Sequence, residues 1–199
     1  NAYDLKLYQQ RNRHRVPVLR FNGSTEFLTS PDADGWSIGN GLSDSSCSFG
    51  LSIRLNNAVQ TAALISKWDS LAASLEWRVG LNTGKPWIRV RDASVGASVF
   101  RAADVALLAG KDYRIVITYD NAVGSGATWA NGVAIYVNGV AVASTATNNA
   151  LYVATENSTG LVRIANDNFA PAQPYMGYME GGEFGPVYNK GTALTAAQV

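Results

Sequence analysis

VAIYVNGVAVAS, residues 133–144, decides the fold class. Val133, Ile135 and Val137 fall on one side of an extended chain and Ala134, Tyr136 and Asn138 on the other, the period of two that marks a strand with one buried face. Asn138 and Gly139 then supply two consecutive residues that tolerate positive φ, as a two-residue hairpin turn requires. Outward from this hairpin the same alternation recurs. In YRIVITYD, residues 113–120, Ile115, Ile117 and Tyr119 oppose Arg114, Val116 and Thr118. Further upstream Trp77, Val79 and Leu81 are predicted inward, with Glu76 and Arg78 toward solvent. Across the turn from Asn82 to Pro86, Ile88 and Val90 continue the inward face and leave Trp87, Arg89 and Arg91 outside. These four runs read as consecutive antiparallel strands, each with one buried and one wet face.

Turn signals punctuate the rest of the chain at the short spacing of a meander: NGST, SPDADG, LNNA, LNTGKP, YDNAVGSG, TENSTG and ANDN. Long helices are not expected, and only Thr195 with Gln198 three residues on has the form of a capping box. With 199 residues and 47% hydrophobic content the chain can bury one substantial core. A single domain is predicted over residues 18–199, preceded by an arm over residues 1–17 in which Arg11, Arg13, His14 and Arg15 are bunched. Such an arm is expected to pack along the domain, or else to meet a neighbouring subunit or nucleic acid. The sequence begins at Asn1 and not at a Met, so an excised or processed fragment is the expectation.

Charge narrows the partners. Charged residues make up 16% and leave a net charge of +1, so no global field favours nucleic acid. No stretch reaches the roughly 18 apolar residues of a membrane span. The one cysteine, Cys47, lies in the apolar run CSFGLSI and is expected in the core.

Taken in order, LRFNGSTEFLT, CSFGLSIRL, ALISKWD, EWRVGLN, YRIVITYD, VAIYVNGVAVAS and YMGYMEGGEFGPVYNKGTALTAAQV resemble the laminin-G-like branch of the concanavalin A-like lectins, from about Val18 to Val199. The resemblance implies an all-β, two-sheet antiparallel jelly-roll sandwich. The ending, with Tyr188-Asn189-Lys190 and Ala193-Leu194-Thr195, is similar to versions found in bacteriophage structural proteins. That likeness implies a non-catalytic, lectin-like adhesion or decoration module on a virion surface. Two alternatives accompany it: a structural capsid or tail protein that uses the fold for contacts with its own copies or other virion subunits, and an extracellular carbohydrate-binding domain of a secreted glycan-degrading enzyme.

Catalysis is not expected. Glycoside hydrolysis needs two carboxyl groups facing each other across the sugar, and the nearest pair, Glu180 and Glu183, has a spacing that points its members to opposite faces of a regular strand. His14, the sole histidine, offers no partner to a nucleophile. Oxygen ligands for calcium are a candidate: SPDADGWSIGNGLSD brings Asp32, Asp34, Asn40 and Asp44 into one glycine-rich loop. The resemblance adds Glu26 and Glu183, which match positions where the family often holds calcium. For a cell-surface glycan or polysaccharide, an exposed aromatic ring beside hydrogen-bonding groups is the pattern to seek. Trp87 with Arg89, Arg91 and Arg78, and Lys85 in the adjoining turn, forms such a patch, basic enough for an anionic polysaccharide; Trp36 and Trp129 lie in loops and are further candidates.

Overall fold

The computed structural model describes residues 18–69, 73–168, 172–180 and 185–199. The predicted basic arm and Glu183 lie outside them. Among the described residues, fourteen strands form two seven-stranded antiparallel sheets. The first sheet runs β1 (Val18–Asn22), β13 (Met176–Glu180), β3 (Cys47–Leu55), β8 (Asp112–Tyr119), β9 (Val133–Val137) and β10 (Val140–Ala141). β14 (Val187–Lys190) pairs with the first half of β3, and β13 with the second. The second sheet runs β11 (Ser144–Thr147), β7 (Ala97–Ala103), β6 (Lys85–Asp92), β5 (Ser74–Asn82), β4 (Ala62–Asp69), β12 (Val162–Ile164) and β2 (Leu28–Ser30). Among the described residues no helix is long and apolar enough to cross a membrane.

The hairpin predicted at residues 133–144 forms as expected, with Asn138 and Gly139 at φ 53° and 79° joining β9 to β10. β8 pairs with β9 so that Ile115, Ile117 and Tyr119 stand opposite Val137, Ile135 and Val133, all lining the core except the half-buried Val137. The four strands read as consecutive are not so: β5 and β6 belong to one sheet, β8 and β9 to the other, and β7 lies between them in sequence. Thr195 and Gln198 close a turn in which the Gln198 side chain accepts from the Thr195 backbone N–H and hydroxyl.

The core lies between the sheets. Trp77, Val79, Leu81, Ile88 and Val90 meet Phe49, Leu51, Ile53, Ile115 and Ile117, and Cys47 is buried among them as expected. Aromatic rings close one part of it: Tyr188 packs 4.9 Å from Phe49 and stacks on Trp77 at 5.7 Å.

Two irregularities in β4 and β5 shape the sheet. Ala63 pairs with Gly80 but Ile65 with Val79, and Lys67 pairs with Trp77 but Trp68 with Leu75, so Leu64 and Glu76 are the extra residues of two bulges. The second bulge overturns the predicted outward placement of Glu76. Its side chain is fully buried and ion-pairs at 2.7 Å with Lys67, also fully buried, whose ammonium donates to Ser37 Oγ at 2.6 Å.

Candidate functional site: an aromatic and arginine pocket on the outer sheet face

Strand register builds the site. Arg78 on β5, Arg89 on β6 and Phe100 on β7 stand side by side, and in the next row Gly80, Trp87 and Ala102 do the same. The inward set of β5 and β6 is fully committed to the core, so Arg78, Trp87 and Arg89 take the outer face as predicted. Small neighbours on either side of Trp87 leave a hollow. A pocket of about 210 Å³ results, lined by Thr61, Arg78, Asn82, Trp87, Arg89, Phe100, Ala102 and Gln173.

Trp87 is only 8% exposed, against the expectation of an open stacking platform. Arg78 lies over its ring, with the guanidinium carbon 5.1 Å from the centroid, and 4.6 Å from that of Trp68. Arg78 is in turn held from the segment after β12, where Asp167 accepts its Nη1 at 2.7 Å and Gln173 at 3.4 Å. Alternation along β5 and β6 shows which side a residue takes, not that a later segment roofs that side.

The electrostatics are one-sided. Among the described residues, ion pairs join Lys67 to Asp32 and Glu76 and Arg78 to Asp167; none reaches Arg89 or Arg91. Arg89 donates Nη2 to Ser98 Oγ at 3.1 Å and lies 5.4 Å from the Trp68 ring centroid. Its Nε is buried without an acceptor. Burial, and then the neighbouring charges of Arg78 and Arg91, hold its guanidinium below the usual arginine range.

Not every predicted residue comes here. Arg91 also turns to Ser98, at 3.5 Å, and does not line the pocket; nor does Lys85. Trp36 is half-buried, its ring stacked on Tyr188 at 5.7 Å and its carbonyl accepting the Trp77 indole N–H at 2.8 Å. Trp129 is wholly in the core, stacked on Tyr119 at 4.3 Å, which removes it from any binding surface. Phe100, Asn82, Thr61 and Gln173 were not anticipated. β7 escaped the sequence reading because Arg101 stands at the parity of Val99 and Ala103, where it donates to Ser144 and to the Ala130 carbonyl and breaks the apolar alternation.

The side chains of the acidic loop turn to separate protein partners. Asp32 is drawn to Lys67 at 2.7 Å, and Asp34 accepts from Asn157 at 3.0 Å. Asn40 caps its own turn by accepting from the Leu42 and Ser43 N–H groups. Asp44 is buried and takes hydrogen bonds from the Tyr152 hydroxyl and from the Thr155 N–H and hydroxyl; burial raises its carboxyl above the usual range despite them. Among the described residues no group of three or more His, Cys, Asp or Glu gathers to hold a metal. Glu26 is exposed, and its expected companion Glu183 is not described.

A larger groove, about 810 Å³, crosses the outer face of the first sheet between Arg54, Asp112, Arg114, Tyr178 and Glu180. There Arg54 stands directly opposite Asp112, so its charges alternate.

Two seven-stranded antiparallel sheets packed face to face over a single core define a β-sandwich domain. The chain belongs to the family described as the Concanavalin A-like lectin/glucanases superfamily, whose model matches residues 22–199. Solved structures share the fold. The carbohydrate-binding module CBM40 of the Ruminococcus gnavus IT-sialidase, bound to α2,3-sialyllactose, is 9% identical at a TM-score of 0.57, covering 92% of this chain and 95% of that one. A heptameric pentraxin from Limulus polyphemus is 11% identical at 0.55, covering 91% and 78%. Botulinum neurotoxin type C, which depends on two ganglioside molecules to enter cells, is 10% identical at 0.57, covering 90% of this chain and 40% of the toxin chain. No curated protein matches.

Proposed function

We propose that this domain is a non-catalytic, lectin-like module that binds glycan in the pocket between Arg78, Trp87, Arg89 and Phe100. The observation that carries the reading is the pairing of aromatic surface with arginines that outnumber their acids in one concave site. Trp87 forms the floor and Phe100 a half-buried wall, while Arg89, Asn82, Thr61 and Gln173 supply groups that read hydroxyls. The sialyllactose and ganglioside ligands of the structural neighbours support a glycan as partner. A glycan array probed with the protein and with its Arg89→Gln and Phe100→Ser variants tests this. Hits that weaken in both variants are expected, and a blank array at high micromolar protein would sink the proposal.

Display on a bacteriophage particle rests on the C-terminal sequence pattern, and a second reading, as a virion subunit, on one end of the sandwich. Loops around residues 40–46, 92–96, 120–126 and 151–157 are stitched together there by hydrogen bonds from Gly41 to Thr155, Val153 to Asp92, Ala93 to Glu156 and Asn121 to Asp44. They carry exposed Leu42, Val95, Val123, Leu151 and Val153. Light scattering discriminates: a subunit contact predicts an oligomer, a displayed lectin does not require one. If the chain is instead the accessory domain of a secreted enzyme, a catalytic domain adjoins it in the parent protein. Calcium between Glu26 and Glu183 is carried only by the family resemblance. A cation bound by the native state alone raises the thermal midpoint over that in chelator, and an unchanged midpoint removes it.

A further inference from the structure

We infer that the pocket takes a single acidic sugar ring, the end unit of a chain, with its carboxylate against Arg89. This rests on the glycan reading above and goes further in naming the unit, its charge and the residue that reads it. Three observations carry it.

The first is charge balance. Arg78 has Asp167, but Arg89, packed between Arg78 and Arg91, has no carboxylate opposite it among the described residues. Its protein partners are neutral, a serine hydroxyl and an indole face. A guanidinium in a half-desolvated setting, beside two like charges, gains most from an anion, and its planar fork matches a carboxylate. The second is which donor is left. Nη2 spends one of its two N–H groups on Ser98 and Nε is buried, so Nη1 and the second N–H of Nη2, with no acceptor among the described residues, are the donors left for a ligand.

The third is size. At about 210 Å³ the site falls below the roughly 300–1,000 Å³ of clefts that enclose drug-sized ligands. It has room for one ring and not for a run of them. The walls fit that content: Phe100 offers an apolar face to ring carbons, and Asn82, Thr61 and Gln173 face the hydroxyl groups. Arg91 is on the same strand and is equally basic in sequence, yet it does not line the pocket, so charge on this face alone is not what selects the ligand.

Protein-observed NMR titration with a panel of methyl glycosides decides it, with methyl glucuronoside and its uncharged methyl ester as the central pair and neutral hexosides beside them. Shifts at Trp87 and Phe100 are expected with the acid binding at least tenfold tighter than its ester. Arg89→Gln abolishes that preference, Arg89→Lys restores part of it, and Arg91→Gln changes it less than threefold; thermal melts of each variant confirm folding. Neutral glycosides binding as well as acidic ones in this pocket overturns the charge assignment while the lectin reading stands. Acidic oligosaccharides binding more than tenfold tighter than the single unit overturns the end-unit assignment. No pocket shift with any member of the panel overturns both readings.

Discussion

A lysine with no exposed surface must be compensated on every side, and Lys67 is: its ammonium meets Asp32, Glu76 and Ser37 within 2.7 Å. Glu76 accepts through Oε1 from Lys67, Ser37 and the Ser158 N–H and hydroxyl, whereas its Oε2 is buried without a partner. Burial raises the Glu76 carboxyl above its ordinary value of 4.5, and Lys67 pulls it part of the way back. Removing the cation alone strands a buried carboxylate, so Lys67→Met is expected to cost about 3–5 kcal/mol in urea unfolding at pH 7. The double variant Lys67→Met with Glu76→Leu is expected to recover much of that, since neither charge is then buried. The pH dependence follows from the direction of the shift. A carboxyl raised on folding favours the native state below its unfolded value and loses that contribution as pH rises through the folded value. The Lys67→Met deficit is therefore largest at neutral pH and shrinks toward pH 4; a deficit that grows on acidification contradicts the assignment. None of this was legible in EWRVGLN, where Glu76 sits at the parity of a solvent residue. A bulge changes parity, and it shows only in the pairing with β4, where Lys67 stands nine residues before Glu76. Trp129 was misjudged for a related reason: its loop position was visible, but not the Tyr119 ring that it covers.

Bulges and turns are where glycine matters in this chain, for two different reasons. At Gly80, β4 approaches so closely through its first bulge that an added Cβ would lie under 3.0 Å from the Ala62 carbonyl oxygen and 3.1 Å from Ala63 Cα. At Gly139 nothing stands within 4 Å of an added Cβ, but φ is +79°. Gly139→Ala is thus expected to cost about 1 kcal/mol, the backbone penalty alone. Gly80→Ala forces β4 and β5 apart beside Trp87 and is expected to cost more, about 2–3 kcal/mol, in the range of overpacked cores. Thermal melts of the two variants compare them directly, and equal losses would show that the close approach is relieved without cost. Only the Gly139 penalty could be foreseen, because Asn138-Gly139 specifies its own turn, whereas Gly80 is constrained by a strand that its sequence does not name. Strands that alternate cleanly, β6, β8 and β9, were legible for the same local reason. β14 was seen only as part of a family-like ending, since VYNK has no alternation and owes its place to Tyr188 packing on Phe49, Trp77 and Trp36.

Sheet order ties distant parts of the chain together, so the domain predicted over residues 18–199 is expected to unfold as one cooperative unit. β1 pairs with β13, β2 with β12, and β3 accepts β13 on one half and β14 on the other. Each sheet therefore contains strands from both ends of the sequence, and neither can close without them. The core is continuous as well: Phe21 and Ile38 from early in the chain share one cluster with Tyr152, Val162, Tyr175 and Met179 from late in it. Partial structures that lack the strands from either end expose core surface that the whole chain covers. Equilibrium unfolding is expected to follow one transition, with tryptophan fluorescence and far-UV circular dichroism coincident across urea. The tryptophans make this a demanding comparison, because Trp77 and Trp129 report on the centre of the sandwich and Trp68 and Trp87 on the outer face of the second sheet. Pairings across more than a hundred residues also predict slow refolding, milliseconds to seconds, as loop closure precedes the contacts that reward it. Separated transitions by the two probes, or a stable fragment after limited proteolysis between β7 and β8, would show two units where the strand order requires one.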